Sequence, residues 1–357
     1  MIVLPYLDQV PQIASQIRAD RWSAVIGRTH IEPGCHLGAL ATLRADGEDI
    51  RVGRDCWFDE ASTVHIADAV YGTTIGARVT VARFGLVHAC SVADDCVVCE
   101  HAVVMDGAQV GPAAVIAAES VVPPGKQLEG GWLYAGVPAR PVEQISRERV
   151  EALHRIIRGT GAPKDAASAD TQIIRAKRPL QSLRHLPGAG VADSDAPSAY
   201  VAPSASITGR LELARDSSIW FGVEIDAAGA VVELGEASNI QDNSRLYLAA
   251  GERLRIGQRV TVGHNVRMYA CEVGDEAIIG MGSIIGQGTV VRPGGCVAAG
   301  AITEPGTEVA AGCVWSGRPA REARALSPEN RAMFALGVDV YIGYARNYRA
   351  AAQARPG

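Results

Sequence analysis

Aromatic side chains are scarce in this 357-residue chain: Phe, Trp and Tyr together make up 5% of it. That excludes a core built on large rings and points to small side chains and many turns, in keeping with 39 glycines. A basic block is also missing and the net charge is -5, which argues against a nucleic-acid binder. No uninterrupted apolar stretch reaches the length of a membrane span. The start, MIVLPYLDQVPQIASQIRADRW, lacks a basic n-region followed by an apolar h-region, so the expected location is the cytoplasm. Eight cysteines occur, but they form no repeated pair signature for zinc. Cys96 and Cys99, in DDCVVCE, fall inside repeat sequence and are read as buried thiols filling small core positions. What is present, 48% apolar and 20% charged residues, describes a folded chain long enough for two domains.

The dominant pattern is a period of six. Aliphatic residues recur at Ile256, Val262 and Met268, slip by one to Val273, then resume at Ile279, Ile285, Val291 and Val297. The first half shows the same ladder from Ile75 through Val81 and Val87, a slip to Val92, then Val98, Val104, Val110, Ile116 and Val122. Neither helical periodicity nor simple alternation gives a strict six. A triangular coil does: three short flat strands per turn, one aliphatic side chain per face pointing inward and stacking on its counterpart in the next coil. Glycine and other small residues let the backbone turn the corners. The ladders match at an offset of 181 residues, slip included, with IGARVTV at 75–81 mirroring IGQRVTV at 256–262. The expected fold is therefore mostly β: two tandem left-handed parallel β-helix domains of hexapeptide repeats, each followed by a C-terminal α-helix.

Each ladder ends at a Gly-x-Pro turn, Gly136-Val137-Pro138 and Gly317-Arg318-Pro319, and helical sequence follows from Ser146 to Arg158 and from Ser327 onward. Ser327 reads as an N-cap with Pro328 at the first helical position. Tyr341, Tyr344 and Tyr348 share one face of the second helix and are expected to pack on a β-helix. The boundaries that result are 1–158 for the first domain, 159–198 for a linker rich in Ala, Pro, Gly, Ser and Asp, and 199–357 for the second domain. Within the linker a short ordered stretch is expected at TQIIRAKRPLQSL. An open β-helix exposes small and aliphatic residues on its sides, which favours a homo-oligomer.

The run SSIWFGVEID, then NIQDNS, then IGQRVTVGHNVRMYACEVGDEAIIGMGSIIGQG closely resembles the gamma-class carbonic anhydrases and their anhydrase-like relatives. The resemblance implies a trimer with zinc at the interface, two histidine ligands from one domain and the third from its neighbour, and a metal-generated hydroxide attacking carbon dioxide. Carried over residue by residue, neither domain is intact. Arg44 and Asp46 match the family's Arg-x-Asp pair, where the second domain has Glu224-Ile225-Asp226. The first zinc histidine matches His65, opposite Tyr247; the last matches His88, opposite Tyr269. The histidine of the Val-Gly-His turn matches His264, opposite Arg83, and the Gln-Asp pair survives as Gln241-Asp242, opposite Asp59-Glu60. These losses are complementary. The resemblance thus implies one site with His65, His88 and His264 on zinc (or iron or cobalt), served by Arg44, Asp46, Glu60, Gln241 and Asp242.

Other readings stand beside this one. A trimer of identical first domains would offer His65, His88 and Arg83, and a guanidinium cannot serve as a ligand because it stays protonated. Arg83 would then act as an anion contact. A metal-free enzyme on the same scaffold could use Tyr247, Tyr269, Glu224 and His264. A hexapeptide acyltransferase would need a catalytic histidine on or beside an extended loop, and no convincing loop is found. A catalytically inactive assembly subunit also fits the degenerate ligands. The expected function is a zinc-dependent lyase or hydrolase acting on carbon dioxide or a related small electrophilic carbonyl, with a small-molecule substrate, a homotrimeric assembly, and no nucleic-acid or membrane partner.

Overall fold

The structure is a computed structural model and describes residues 1–160, 169–177 and 197–353. The chain divides into two compact units, Met1–Leu180 and Gln181–Gly357. Both are left-handed parallel β-helices, as the sixfold ladder leads one to expect.

The first unit shows why the ladder produces this shape. Thr80–Val81, Val97–Val98 and Val115–Ile116 are two-residue strands that stack in parallel, with Val81, Val98 and Ile116 in register and fully buried. Each such aliphatic side chain contributes about 1.5–3 kcal/mol by leaving water. Between coils the backbone turns through left-handed positions, for example Arg78, Asp95 and Ala113 at φ 58, 61 and 55. Three faces close the coil. The strand Thr42–Val52 rounds one edge, pairing at its start with Thr63–His65 and at its end with Thr73–Ile75. The second unit repeats this: Glu224–Leu234 pairs first with Arg245–Tyr247 and then with Arg253–Ile256.

The duplication extends to irregularities. The register shifts beside Gly27 in one unit and Gly209 in the other, both at positive φ (65 and 87). A Cβ there would run into the carbonyl of Ala45 or Ala227, so these bulges need glycine. The one-residue slip also has a place in the fold. It shortens the corner at Ala89-Cys90 and at Ala270-Cys271, directly after the strands that end in His88 and Tyr269. Seven of the eight cysteines are buried, as small core-filling thiols should be, and Cys313 is half-buried.

The Gly-x-Pro turns close each ladder as antiparallel hairpins, Trp132–Ala135 with Arg140–Gln144 and Cys313–Gly317 with Ala320–Ala325. Helix α1 (Arg147–Ile157) follows the first, capped by Ser146, whose side chain accepts from the Arg149 amide. Its Val150 and Leu153 pack with Val97, Cys99, Val115 and Leu133. Helix α2 (Ala169–Ile174) lies in the stretch read as a linker and docks on the first unit. The Glu100 amide donates to the Ile174 carbonyl at 3.0 Å, and the Ala118 amide to that of Ile173 at 2.8 Å. The rest of that stretch, 161–168 and 178–196, lies outside the described residues.

Helix α3 (Pro328–Gln353) closes the second unit, and the Asn330 amide donates to Ser327 Oγ at 3.2 Å, which makes Ser327 its cap. The three tyrosines do share a packed face. Trp220, fully buried, meets the rings of Tyr341 and Tyr348 edge-on at 5.1 and 5.7 Å, and Tyr348 stacks on Tyr200 at 5.4 Å. Among the described residues no helix is long and apolar enough to cross a membrane.

Candidate metal centre

In the first unit, strand register places Arg44, His65 and His88 on successive rungs of one face. Rungs of a parallel sheet lie about 4.8 Å apart, and the two imidazoles stack with centroids 5.3 Å apart. Both are buried. His65 Nδ1 lies 2.6 Å from the carbonyl oxygen of Ile66. A carbonyl only accepts, so the proton sits on Nδ1 and the lone pair on Nε2. His88 Nδ1 donates in the same way to Asp106 Oδ1 at 2.6 Å. Both rings are thus in the tautomer that a metal-binding imidazole needs, each held from behind by an oxygen. Arg44 is paired with Asp46 in a fully buried ion pair, and Asp46 Oδ2 stands 3.7 Å from His65 Nε2. Asp106 was not found from the sequence. The signal was available: it lies one eighteen-residue coil beyond His88.

At the corner of the same unit, Arg83 pairs with Glu60 at 3.1 Å. Glu60 is therefore committed to a guanidinium. Its neighbour Asp59 is pushed above the usual carboxylate range by burial.

In the second unit His264 occupies the place of Arg83. It is fully buried, and Asp242 Oδ2 lies 3.1 Å from its Nδ1. Asp242 is itself fixed, accepting from the Phe221 amide at 3.0 Å. The acid partner that Glu60 gives Arg83 is given to His264 by Asp242. Asp242 thus sets a carboxylate beside the imidazole without hydrogen-bond geometry to it. Gln241 donates to Asn239 Oδ1 at 3.2 Å. On the other side of the ring, His264 Nε2 is 3.3 Å from the hydroxyl of Tyr341. The helical spacing marked Tyr341 as a packing residue only; its contact with His264 links residues 77 positions apart and leaves no local trace.

The register corrects one correspondence. Asp226, Tyr247 and Tyr269 are the successive rungs that answer to Arg44, His65 and His88. Glu224 lies two residues earlier, on the rung that answers to Thr42, and is ion-paired with Arg245 in a buried contact. Hence it does not stand in for Arg44. Tyr247 and Tyr269 have ring centroids 6.0 Å apart. Burial raises the Tyr247 phenol above its usual value, so it stays protonated at neutral pH and is a poor metal donor.

Among the described residues three buried histidines are candidate metal ligands, His65 and His88 in the first unit and His264 in the second. Imidazoles suit a divalent ion of zinc type, and the oxygens hydrogen-bonded to Nδ1 of His65 and His88 fit that role.

No family model matches the chain. Curated relatives do. "Gamma carbonic anhydrase 1, mitochondrial" of Arabidopsis thaliana is 39% identical over 164 residues, covering 44% of this chain and 59% of that protein. Protein YrdA of Escherichia coli K12 is 37% identical over 152 residues, covering 41% of this chain and 83% of its own length. A solved structure described as a putative acetyltransferase from Desulfovibrio desulfuricans G20 covers 97% of this chain and 82% of its own, with a TM-score of 0.54 and 14% identity, a likeness of fold alone. The chain spans about 55–60% of the length of the three plant anhydrases it matches. The fold and the histidine set define a hexapeptide-repeat protein with metal-binding character. More narrowly, the chain belongs to the hexapeptide-repeat, gamma-carbonic-anhydrase-like family, duplicated into two β-solenoid units that each end in a helix.

Proposed function

We propose that this protein is a metal-dependent lyase or hydrolase in which His65, His88 and His264 hold one zinc ion, His264 coming from the second unit of the same chain or of a neighbouring copy. The substrate class is carbon dioxide or a related small electrophilic carbonyl. The observation that carries this reading is the oxygen set at Nδ1 of every one of the three rings: the Ile66 carbonyl, Asp106 and Asp242. Hydrogen bonds make Nε2 the lone-pair nitrogen of His65 and His88, and the charge of Asp242 favours the same tautomer in His264. Zinc on three imidazoles supplies a Lewis acid that brings the pKa of water down to about 7.

The protein's own groups do the rest. The Arg44–Asp46 pair lies beside His65 and fixes a carboxylate near the ligand nitrogen without leaving it uncompensated. Asp106 holds the His88 ring in orientation. The favoured assembly is a homotrimer, to be checked by light scattering. Metal analysis tests the proposal. The full-length protein, reconstituted with zinc, is expected to retain at most one equivalent per chain and to hydrate carbon dioxide, with both lost in His264→Ala. Failure to retain any metal, or metal retention unchanged in both His264→Ala and His65→Ala, overturns it.

A further inference from the structure

We infer that Tyr341 is a latch on the third metal ligand, so that helix α3 and the metal compete for the same lone pair of His264. The inference rests on the metal-site reading above and adds a control to it. Asp242 Oδ2 stands 3.1 Å from Nδ1, outside hydrogen-bond geometry but close enough for its charge to favour the His264 proton on that nitrogen, which leaves Nε2 as the acceptor. The Tyr341 hydroxyl, 3.3 Å away, therefore donates to Nε2. A metal takes the same electron pair, so the hydroxyl has to turn off the ring before His264 can coordinate.

The phenol is not a freely swinging group. Tyr341 is buried, edge-on to Trp220 at 5.1 Å and to Tyr344 at 5.5 Å. Arg259 anchors the same helical turn through Asp339 at 2.9 Å. Releasing His264 is thus coupled to the seating of α3 on the second unit. Among the described residues the first unit shows no counterpart: α1 ends at Ile157 and the corresponding corner carries Arg83. The latch belongs to the histidine that was kept.

The test is Tyr341→Phe in the full chain, which removes the hydroxyl and keeps the ring packing. A neutral hydrogen bond is worth about 1 kcal/mol net, so its removal should tighten zinc binding roughly five-fold, read by competition with a chromophoric chelator. A residue that only packs would leave affinity unchanged or weaken it. In the wild type, zinc addition should also speed backbone amide exchange around residue 341, and it should not do so in Tyr341→Phe. Zinc bound by the wild type but no tighter in Tyr341→Phe overturns the latch and leaves the metal site standing. No zinc bound by either protein overturns both.

Discussion

Asp106 offers a sharp test of the metal centre because its effect is transmitted through a single imidazole. It receives the His88 Nδ1 proton at 2.6 Å, one coil above, while its own side chain is 36% exposed. Two variants separate what it does. Asp106→Asn can still accept the proton through its amide oxygen but lacks the charge that makes the bond strong. Asp106→Ala frees the ring to rotate and to change tautomer. Partners of this kind typically govern 10- to 100-fold in metal affinity. Asp106→Ala should therefore weaken zinc binding by about 10- to 100-fold, which is about 1.4–2.7 kcal/mol, and Asp106→Asn by a few-fold. Chelator competition gives the affinities, and the visible spectrum of the cobalt-substituted protein reports whether the ligand geometry has changed. Because the carboxylate is partly exposed, the melting temperature of the metal-free protein should move little. Affinities of both variants within two-fold of wild type would refute the assignment of His88 as a ligand held from behind. A loss in Asp106→Asn as large as in Asp106→Ala would show that charge, not orientation, is what Asp106 supplies.

Two further outcomes concern the scaffold. Burial pushes the His154 imidazole down to about 4 from 6.5. Between those values the unfolded chain binds a proton that the folded one does not, so the stabilisation is complete above pH 6.5 and is lost as pH falls toward 4, by at most about 3 kcal/mol. The bonding fits a neutral ring: Arg158 donates to Thr80 at 2.9 Å, Thr80 to His154 Nδ1 at 2.7 Å, and His154 Nε2 to the Asp95 carbonyl at 3.2 Å. Urea unfolding at pH 7, 6 and 5 should show this slope in the wild type and a flatter one in His154→Gln; identical slopes would remove His154 as the cause. Trp220→Ala, at a fully buried ring under α3, should cost about 3–5 kcal/mol in the second unit and release the α3 amides to exchange, and unchanged protection there would show that α3 is held by other contacts.

The β-helix could be read from the sequence because its determinants are local and repeated. Val81, Val98 and Ile116 are seventeen or eighteen residues apart and end up in register, so counting already did the work of stacking. The Ser327 cap and the tyrosine face were legible for the same reason. Legibility failed where the offset between the two units departs from the ladder's 181 residues, because Arg44 answers to Asp226, 182 residues on. Glu224 and Asp226 both lie on Glu224–Leu234, and only the pairing with Arg245 and Tyr247 shows which of them answers to Arg44. It failed again at contacts between distant segments, of which Tyr341 on His264 is the clearest. The ligand substitutions themselves follow a physical rule that the sequence alone did not display. At the corner, histidine with aspartate in one unit is matched by arginine with glutamate in the other, so the nitrogen base and its acid changed together. On the face, two histidines are matched by two tyrosines, and the arginine of the rung below is matched by Asp226. A site that simply decayed would not be expected to keep an acid behind its corner base. The paired exchange at Arg83 and Glu60 reads instead as a corner rebuilt as an ion pair, which on the proposed reading leaves His264 as the corner base suited to a metal among the described residues.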